Sequence, residues 1–269
     1  MKTKLNADRF LTVFTLMARI PVKRAFEADF SRADFWIPAI SPIVSLSAIA
    51  GFATGMALSG SLALAAAASI AVQYFCFNLF HFDGLVDTAD AMLPAASPER
   101  RLEILKDPRV GTYGFFCGAL ALGLRAGAIA LLAEGGVLFS ALVAGLLAAP
   151  AAGRLAAALV PLASKPAKLS GLGALMAGFS KKRVAAGTAL ALVPALAWSA
   201  ASGGWLLPVL ALASALASGF GAALFVSKAY SAKVGGFTGD ALGAAVELGE
   251  IAALLLLGVA IRIIGWIPA

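Results

Sequence analysis

Seven long apolar stretches, separated by shorter polar segments, constrain the fold of this chain more than any other feature of its sequence. Each has about 17 to 25 residues, the length that a helix needs to cross the hydrocarbon core of a bilayer. Because 61% of the residues are hydrophobic and only 13% are charged, a soluble domain is excluded. The sequence therefore predicts an all-α, polytopic integral membrane helical bundle with about seven transmembrane helices. The predicted spans are 39–58, 62–80, 115–133, 137–160, 184–201, 205–226 and 241–261.

Basic residues are distributed unequally between the segments that join these spans. Eighteen of the 21 lysines and arginines lie in the N-terminal segment and in three long loops, at 81–114, 161–183 and 227–240. The three short turns on the opposite side carry none. By the positive-inside rule, the N-terminus and the three long loops are predicted to be cytoplasmic. The net charge of +7 then reflects topology and attraction to anionic headgroups, and we expect no nucleic-acid partner.

The first 35 residues are charged and contain only a short apolar run, Leu11 to Ala18. Arg19 and Pro21 interrupt that run, and no small-x-small cleavage site follows it. An interfacial amphipathic helix is therefore favoured over a signal peptide. Because no linker, internal repeat or low-complexity tract divides the chain, we predict a single membrane domain, 1–269, in which 1–35 is a cytoplasmic or interfacial segment.

The motif HFDGLVDTAD, at residues 81–90, places three carboxylates directly after an apolar run. Asp83, Asp87 and Asp90 stand at i, i+4 and i+7, so on a helix they fall within roughly 60° of one another. Three crowded carboxylates at a membrane surface need positive charge between them, and oxygen-only ligands suit Mg²⁺, Mn²⁺ or Ca²⁺. We predict that these residues bind a divalent cation, with a solvated loop carrying three ordinary acids as the alternative. His81 is either a general base or a hydrogen-bonding helix cap.

A second motif, KDPRVGTYG, precedes the third span and follows a short predicted helix. Ser97 and Pro98 are typical of the N-cap and first position of a helix, which is predicted to run to about Lys106. The motif therefore enters the membrane at the level where HFDGLVDTAD leaves it. A metal-bound pyrophosphate at that level would also meet Lys106 and Arg109, although an ordinary pair of juxtamembrane cations remains the alternative.

The last loop, GGFTGDALGAAVELGE, repeats the pattern of glycines and acids at a membrane entrance. Asp240 and Glu247 are seven residues apart and share a helix face, and Glu247 lies inside an apolar span. Glu247 is therefore a ligand, a proton carrier or a buried hydrogen-bond partner. Arg154, inside the fourth span, is expected to face the carboxylates or a substrate phosphate, whereas Arg125 either has a partner or extends to the interface.

Three blocks of the sequence together resemble a known family. HFDGLVDTADAML, ERRLEILKDPRVGTYG and GGFTGDALGAAVELGE occur in the order and spacing found in cobalamin synthases, the adenosylcobinamide-GDP ribazoletransferases. TLMARIPV near the N-terminus is similar to a further element of that family and includes Arg19. The resemblance covers essentially the whole chain, and the combination of blocks is specific where a lone DxxxDxxD would not be.

The resemblance implies that adenosylcobinamide-GDP and α-ribazole, or its 5'-phosphate, combine to give adenosylcobalamin, or its phosphate, with release of GMP. Asp83, Asp87 and Asp90 would then bind Mg²⁺, and one of His81, Asp90 and Asp107 would take the hydroxyl proton. Contacts to the substrates are expected from Arg19, Lys106, Arg109, Arg154, Asp240 and Glu247. The resemblance also implies a bacterial inner-membrane protein with a cytoplasmic active site. It leaves open a homo-oligomer or an assembly with other cobalamin-synthesis proteins.

Two other classes of membrane protein place acids in or near apolar spans. A CDP-alcohol phosphotransferase requires DGxxAR followed by GxxGxxxDxxxD, and this chain does not contain that pattern. A cation- or proton-coupled transporter is expected to carry acids deep in several spans and inverted repeats. Here the acids collect mostly at span ends, with Glu247 and Glu250 as the exceptions. Both alternatives are therefore disfavoured.

Overall fold

A computed structural model of the chain describes residues 2–77, 79–134, 138–168, 171–202 and 204–265. Within these ranges the secondary structure is helical, without a strand, so the all-α prediction is confirmed. The helices are α1 Lys2–Met17, α2 Ala33–Ala39, α3 Ser41–Ser59, α4 Leu62–Cys76, α5 Phe80–Met92, α6 Pro98–Ile104, α7 Thr112–Ala133, α8 Leu138–Ala163, α9 Leu172–Leu175, α10 Lys181–Ser202, α11 Leu206–Val234 and α12 Gly239–Gly265.

Six helical segments of the described chain are long and apolar enough to cross a membrane, or seven if α4 and α5 form one broken span. This count confirms the predicted polytopic bundle of about seven spans. The six segments are α2 with α3, α7, α8, α10, α11 and α12.

The predicted span at 62–80 differs from a continuous helix. Helix α4 ends at Cys76 after 15 residues, and α5 begins at Phe80 and is inclined to α4 by 100°. The carbonyl of Cys76 at the end of α4 accepts a hydrogen bond of 2.8 Å from the backbone N–H of Arg19. Helix α4 packs along α3, whereas α5 turns away from the direction of α4. The carboxylates of α5 therefore need not follow α4 into the apolar core.

Helix α8 forms the centre of the bundle and packs against α3, α7, α10, α11 and α12. Small residues allow this close packing, as the alanine- and glycine-rich spans indicated. Where α8 meets α12, a Cβ built on Gly249 would lie only 2.9 Å from the Cα of Gly153. A larger side chain at either glycine would therefore push these two helices apart.

A second glycine contact joins α5 to α12. A Cβ on Gly84 would lie 2.9 Å from the carbonyl oxygen of Asp240, and one on Gly243 would lie 2.9 Å from the carbonyl oxygen of His81. Gly243 therefore allows α12 to approach α5 closely. This contact holds the N-terminal end of α12, with its Asp240, against the helix that carries the three aspartates.

The loops at this end of the bundle are tied together by backbone hydrogen bonds. Ala167 N–H donates to the carbonyl of Phe237 at 2.8 Å, and Phe237 N–H donates to the carbonyl of Lys165 at 2.9 Å. The turn before α12 includes Gly235 in the left-handed region, with φ of 79°. The C-terminal ends of α8 and α11 and the N-terminal end of α12 therefore share one end of the bundle.

Helix α1 lies on α2 at the start of the chain. The ring of Phe10 meets Trp36 edge-on at 5.3 Å between centroids, and Phe14 packs against Phe77. An ion pair of 2.9 Å joins Arg9 to Asp29 and folds the segment after α1 back onto the helix. Helix α1 fits the helix expected within residues 1–35, whose interfacial position stays a prediction.

Candidate active site

Helix α5 presents its three aspartates at graded depth. Asp83, near the start of the helix, is exposed, Asp87 is half-buried and Asp90 is buried. All three therefore lie on one helix, as the spacing predicted, but only the first two are open to a ligand from solvent. His81 is buried, on a different side of α5 from the exposed Asp83.

Asp90 holds the start of α7. Its two carboxylate oxygens accept hydrogen bonds from the backbone N–H groups of Gly111 at 2.7 Å and Gly114 at 2.8 Å. Since the first N–H groups of a helix have no partner inside it, this carboxylate caps α7 from another helix. A Cβ on Gly111 would lie 2.5 Å from Oδ1 of Asp90, so the glycine is needed for space. KDPRVGTYG therefore contacts HFDGLVDTAD, whereas their shared level in the membrane stays a prediction.

Asp83, Asp87 and Asp240 form a surface that we call the acidic face. Asp87 lies within electrostatic range of Asp83 on its own helix and of Asp240 on α12. Asp240 accepts a hydrogen bond of 3.0 Å from the Thr238 hydroxyl. Within the described chain, no hydrogen bond or ion pair engages the carboxylates of Asp83 and Asp87. Lys168 lies within electrostatic range of Asp240, whereas Asp83 and Asp87 have no ion-pair partner among the described residues, so the acidic face carries an excess of negative charge.

The predicted cation site of Asp83, Asp87 and Asp90 is not preassembled in the structure. Among the described residues, no three His, Cys, Asp or Glu side chains are gathered closely enough to hold a metal ion. Asp90 turns its oxygens to backbone N–H groups, whereas Asp240 comes from α12 to the exposed pair. Carboxylates without a basic partner still form a donor set that suits a hard divalent cation.

Asp107 and Arg109 line a cavity of about 360 Å³ next to the acidic face. Its other walls are Asp90, Ile104 and residues 110–113. Arg109 binds Asp107 with two hydrogen bonds, of 2.9 Å from Nε and 2.6 Å from Nη2, and these bonds lower the pKa of Asp107 to about 2. Lys106 is exposed beside this pair. Helix α6, which leads here, begins at the predicted cap, where Ser97 accepts from Arg100 N–H, and ends at Ile104.

A smaller cavity of about 240 Å³ lies beside Asp240. Its walls include Lys168, Thr238 and Asp240, together with Leu105, Phe237, Gly171, Gly173 and Gly239. Lys168 lies within electrostatic range of Asp240. Sequence reasoning did not single out Lys168 or Thr238. Thr238 lies within the GGFTGDALG block, and Lys168 lies in the basic loop that contacts it.

Three further polar residues that sequence reasoning missed hold α5 in place. Arg101 on α6 and Lys233 on α11 each donate a hydrogen bond of 2.5 Å to a carbonyl in the last turn of α5, at Ala91 and Met92. Cations at a helix C-terminus satisfy unpaired carbonyls and complement the helix dipole. Tyr230 on α11 is fully buried, and its hydroxyl shares a hydrogen bond of 2.7 Å with Thr88.

Six polar side chains form a second cluster that lies inside the helical bundle. This buried network consists of Gln73, Tyr74, Arg125, Arg154, Glu247 and Glu250. Arg125 pairs with Glu247 at 3.2 Å and also pairs with Glu250. Arg154 pairs with Glu250 at 2.5 Å. The side chains of these two arginines and two glutamates are at most 3% exposed, and their formal charges sum to zero.

The Gln73 amide and the Tyr74 hydroxyl add further hydrogen bonds to the network, although the Nε atoms of Arg125 and Arg154 have no partner within the described chain. Gln73 donates to Glu250 at 3.0 Å and accepts from Arg125 at 3.0 Å. Tyr74 donates to Glu247 at 2.7 Å. The network therefore joins α4, α7, α8 and α12 across the bundle. Of the three alternatives for Glu247, the structure gives the buried hydrogen-bond partner.

The structure separates the sequence-predicted site residues into two groups. Asp83, Asp87, Asp90, Asp107, Arg109 and Asp240 lie on the acidic face or line the cavity beside it. Arg154 and Glu247 belong to the buried network, so Arg154 faces Glu250 and not the aspartates of α5. His81 lies within α5, whose N-cap is Leu79, so the expectation of a histidine cap is wrong.

Arg19 lies at the junction of α4 and α5. Its side chain is exposed, and its guanidinium carbon stands 5.8 Å from the ring centroid of Phe75. The backbone contact to Cys76 fixes its position beside the break between the two helices. A contact between Arg19 and a substrate stays a prediction.

Comparisons with known proteins identify the family of the chain. Residues 9–258 match the family described as cobalamin-5-phosphate synthase. A protein of Fervidobacterium nodosum named adenosylcobinamide-GDP ribazoletransferase is 32% identical over 248 residues, which cover 92% of this chain and 95% of the relative. A protein of the same name from Escherichia coli strain K12 is 32% identical over 255 residues, with 92% and 98% covered. No solved structure matches the chain. The chain belongs to the cobalamin-5-phosphate synthase family.

Proposed function

We propose that this protein joins adenosylcobinamide-GDP to α-ribazole, or to its 5'-phosphate, and releases GMP. The observation that carries the proposal is the acidic face, with the Asp107–Arg109 cavity fixed beside it by the capping contact of Asp90. A diphosphate substrate needs cations and hydrogen-bond donors close together. At one end of the bundle, KDPRVGTYG supplies Lys106 and Arg109, and HFDGLVDTAD supplies carboxylates that would hold a metal cation. The names of the relatives support the same reaction.

The acidic face would hold Mg²⁺ through Asp83, Asp87 and Asp240. These carboxylates suit the ion because they are oxygen ligands, and neither Asp83 nor Asp87 has a described partner that the ion would displace. Bound Mg²⁺ supplies positive charge to the pyrophosphate oxygens and orients them. Asp90 takes a different part from the one its spacing predicted, because it orders the loop that carries Asp107 and Arg109.

Basic side chains around the acidic face would bind the phosphate oxygens of the substrate. The guanidinium of Arg109 is exposed, and Asp107 holds it in one orientation through two hydrogen bonds. Arginine suits bidentate contact with phosphate oxygens, whereas Lys106 and Lys168 act as point charges. Lys168 lines a cavity together with Asp240 and lies within electrostatic range of it, so it is a further cation close to the acidic face.

In the reaction, a ribose hydroxyl oxygen attacks the phosphorus nearer the cobinamide. A new P–O bond forms, the bond from that phosphorus to the oxygen of GMP breaks, and GMP leaves. Phosphoryl transfer through a loose transition state depends mainly on positioning and charge neutralisation. The proton of the attacking hydroxyl then passes to a phosphate oxygen of GMP or to water.

None of the three residues predicted as proton acceptors is well suited to that step. His81 is buried beside Phe80, with 4.0 Å between ring centroids. Asp90 has both oxygens in hydrogen bonds to α7. Asp107, with a pKa of about 2, is a weak base near neutral pH. We therefore assign no separate general base.

The proposal places the active site at the cytoplasmic face of a bacterial inner membrane. Lys106, Arg109, Lys165 and Lys168 all lie in loops at the end of the bundle that carries the acidic face. The positive-inside rule assigns such loops to the cytoplasm. The bacterial origin of the relatives supports the inner membrane as the location.

Product formation by the reconstituted protein tests this proposal. Liposomes with the purified protein receive adenosylcobinamide-GDP, α-ribazole and Mg²⁺, with EDTA and Asp87→Asn as negative controls and the exposed Glu27→Gln as a matched control. We expect a cobalamin product and GMP from the wild type and from Glu27→Gln. Neither product should form in the two negative controls, EDTA and Asp87→Asn. A well-folded protein that makes no product but acts on a CDP-alcohol, or conducts ions, would overturn the proposal.

A further inference from the structure

A long apolar groove runs between α8, α10 and α11, away from the acidic face. Its volume is about 820 Å³. The groove exists because α10 and α11 both pack on α8 but contact each other less extensively. Its walls are leucine, alanine, valine and phenylalanine side chains, and the polar residues among them are Lys181 and Thr188.

The dimensions of the groove suit a lipid chain. On α10 it extends from Lys181 to Leu196, a distance of about 22 Å at 1.5 Å per residue. Half of the hydrocarbon core of a bilayer is about 15 Å thick, so the groove spans the full depth of one leaflet. An extended acyl chain is the apolar ligand of this length that a membrane provides.

One mouth of the groove is positively charged. Lys181 lines this mouth, and Lys182 next to it is exposed. Arg183 is not available there, because its Nε binds the buried Asp34 at 2.6 Å. The two lysines therefore offer an anionic group two ammonium ions at the start of α10, where anionic headgroups of the cytoplasmic leaflet would lie.

A buried hydroxyl is a second polar feature of the groove. Thr188 lies two turns into α10, and its side chain is 6% exposed. Its Oγ1 has no hydrogen-bond partner within the described chain. That oxygen is buried from solvent and therefore from a ligand in the groove, so Thr188 forms part of the wall and offers no hydrogen bond to the ligand.

We propose that the groove is a binding site for one anionic phospholipid. An acyl chain lies between α10 and α11, and the phosphate lies at Lys181 and Lys182. The lipid fills the space that α8 leaves between the other two helices, so its binding stabilises the bundle. This site is separate from the proposed catalytic residues and does not depend on their assignment.

Lipid retention and lipid-dependent stability test the proposal. The full-length protein, purified in a mild detergent, is examined by native mass spectrometry, then delipidated and titrated with phosphatidylglycerol or phosphatidylcholine while thermal unfolding is followed. We expect one retained anionic lipid per chain and an increase of Tm that is larger with phosphatidylglycerol. Equal effects of the two lipids, or no retained lipid, would contradict the proposal.

Two pairs of variants locate the site. Ala189→Trp fills the groove, whereas Ala186→Trp adds the same side chain on an exposed part of α10 outside its walls. Lys181→Glu with Lys182→Glu removes the charged mouth, and Lys23→Glu changes charge at an exposed N-terminal position. We expect about tenfold weaker phosphatidylglycerol binding for the first member of each pair alone. If Ala189→Trp does not fold, the charge variants decide, because they leave the apolar walls of the groove unchanged. Equal phosphatidylglycerol binding by the Lys181→Glu, Lys182→Glu variant and by Lys23→Glu would overturn the proposal.

Discussion

Two clusters of charged side chains in this protein solve the same electrostatic problem in different ways. In the buried network, two arginines and two glutamates neutralise one another inside the bundle. On the acidic face, Asp83 and Asp87 have no ion-pair partner among the described residues, and Asp240 has Lys168 within electrostatic range. Charge inside the membrane is therefore not by itself a sign of a catalytic site. Charge that the protein leaves without compensation is the better indicator, because a ligand must then supply the opposite charge.

The difference also predicts opposite effects on stability. Removal of one member of a buried ion pair leaves an uncompensated charge in a medium of low dielectric, which is strongly destabilising. Removal of one of several like charges at a surface relieves repulsion. Variants in the two clusters therefore test whether the first is structural and the second functional.

The largest effect is expected when the buried network loses Arg125. Arg125→Met leaves Glu247 without its cation and Glu250 with Arg154 alone. We expect a loss of about 3 to 5 kcal/mol in the free energy of unfolding, measured by denaturation in detergent. Glu247→Gln added to Arg125→Met should restore part of it. Arg262→Met, which breaks the exposed pair with Glu134, is the matched control and should change stability by less than about 1 kcal/mol. Equal effects of the two arginine variants would remove the distinction between the clusters.

The next largest effect is expected for activity on the acidic face. Asp87→Asn keeps the size of the side chain and removes one negative charge from the carboxylates that we propose as Mg²⁺ ligands. We expect a decrease in kcat of about 100-fold or more, because charge stabilisation at this magnitude is typical of groups that neutralise a transition state. The Tm should be unchanged or higher, since repulsion with Asp83 and Asp240 decreases. A loss of activity that parallels a loss of folded protein would show instead that Asp87 is structural.

A smaller effect is expected where the acidic helix meets α7. In Gly111→Ala, the new Cβ would collide with Asp90, so the capping hydrogen bonds must lengthen. We expect a cost of about 1 to 3 kcal/mol, the range for a buried polar group left without its partner. Gly123→Ala, also on α7, meets nothing within 4 Å and should be neutral or slightly stabilising. Unfolding and activity are measured for both variants, and equal results would mean that the cap is unimportant.

The smallest effect is expected for Arg109, the exposed arginine that we propose as a phosphate ligand. Arg109→Ala should lower kcat/KM by about tenfold, chiefly through KM, because a contact made to bound substrate and transition state alike is lost. Stability should change little, since the Arg109–Asp107 pair is at the surface. Arg100→Ala, which breaks the exposed pair with Glu103, is the control. If both variants lower kcat/KM equally, a general attraction between positive loops and substrate accounts for the effect.

The number and approximate positions of the spans could be predicted from the sequence, because the hydropathy and length of a span are properties of that segment alone. The sequence also placed the three aspartates on one helix correctly. It did not separate Asp240 from Glu247, since both share a face of α12. Seven residues of helix correspond to about 10 Å along the axis, enough to put one at the end of the bundle and the other inside it. Only tertiary packing decides which neighbour each acid meets.

The partners of Asp90 and Arg154 show the same limit. Arg154 was expected to need an acidic partner, and it has one, but that partner is Glu250 on α12 rather than an aspartate of α5. Asp90 was expected to bind a cation, yet backbone N–H groups at the start of α7 occupy both oxygens. Periodicity reports which face a residue occupies, whereas the competing donors belong to segments distant in sequence.

A Mg²⁺ titration of thermal unfolding, without substrate, tests directly whether the acidic face binds a divalent cation. If the acidic face lacks compensation and binds the ion, Mg²⁺ raises the Tm of the wild type, because a ligand that binds only the folded state stabilises it. The increase should disappear in Asp87→Asn, persist in Arg109→Ala and be absent when K⁺ replaces Mg²⁺ at equal ionic strength. An Asp87→Asn variant with the same Mg²⁺-dependent increase as the wild type would contradict the account.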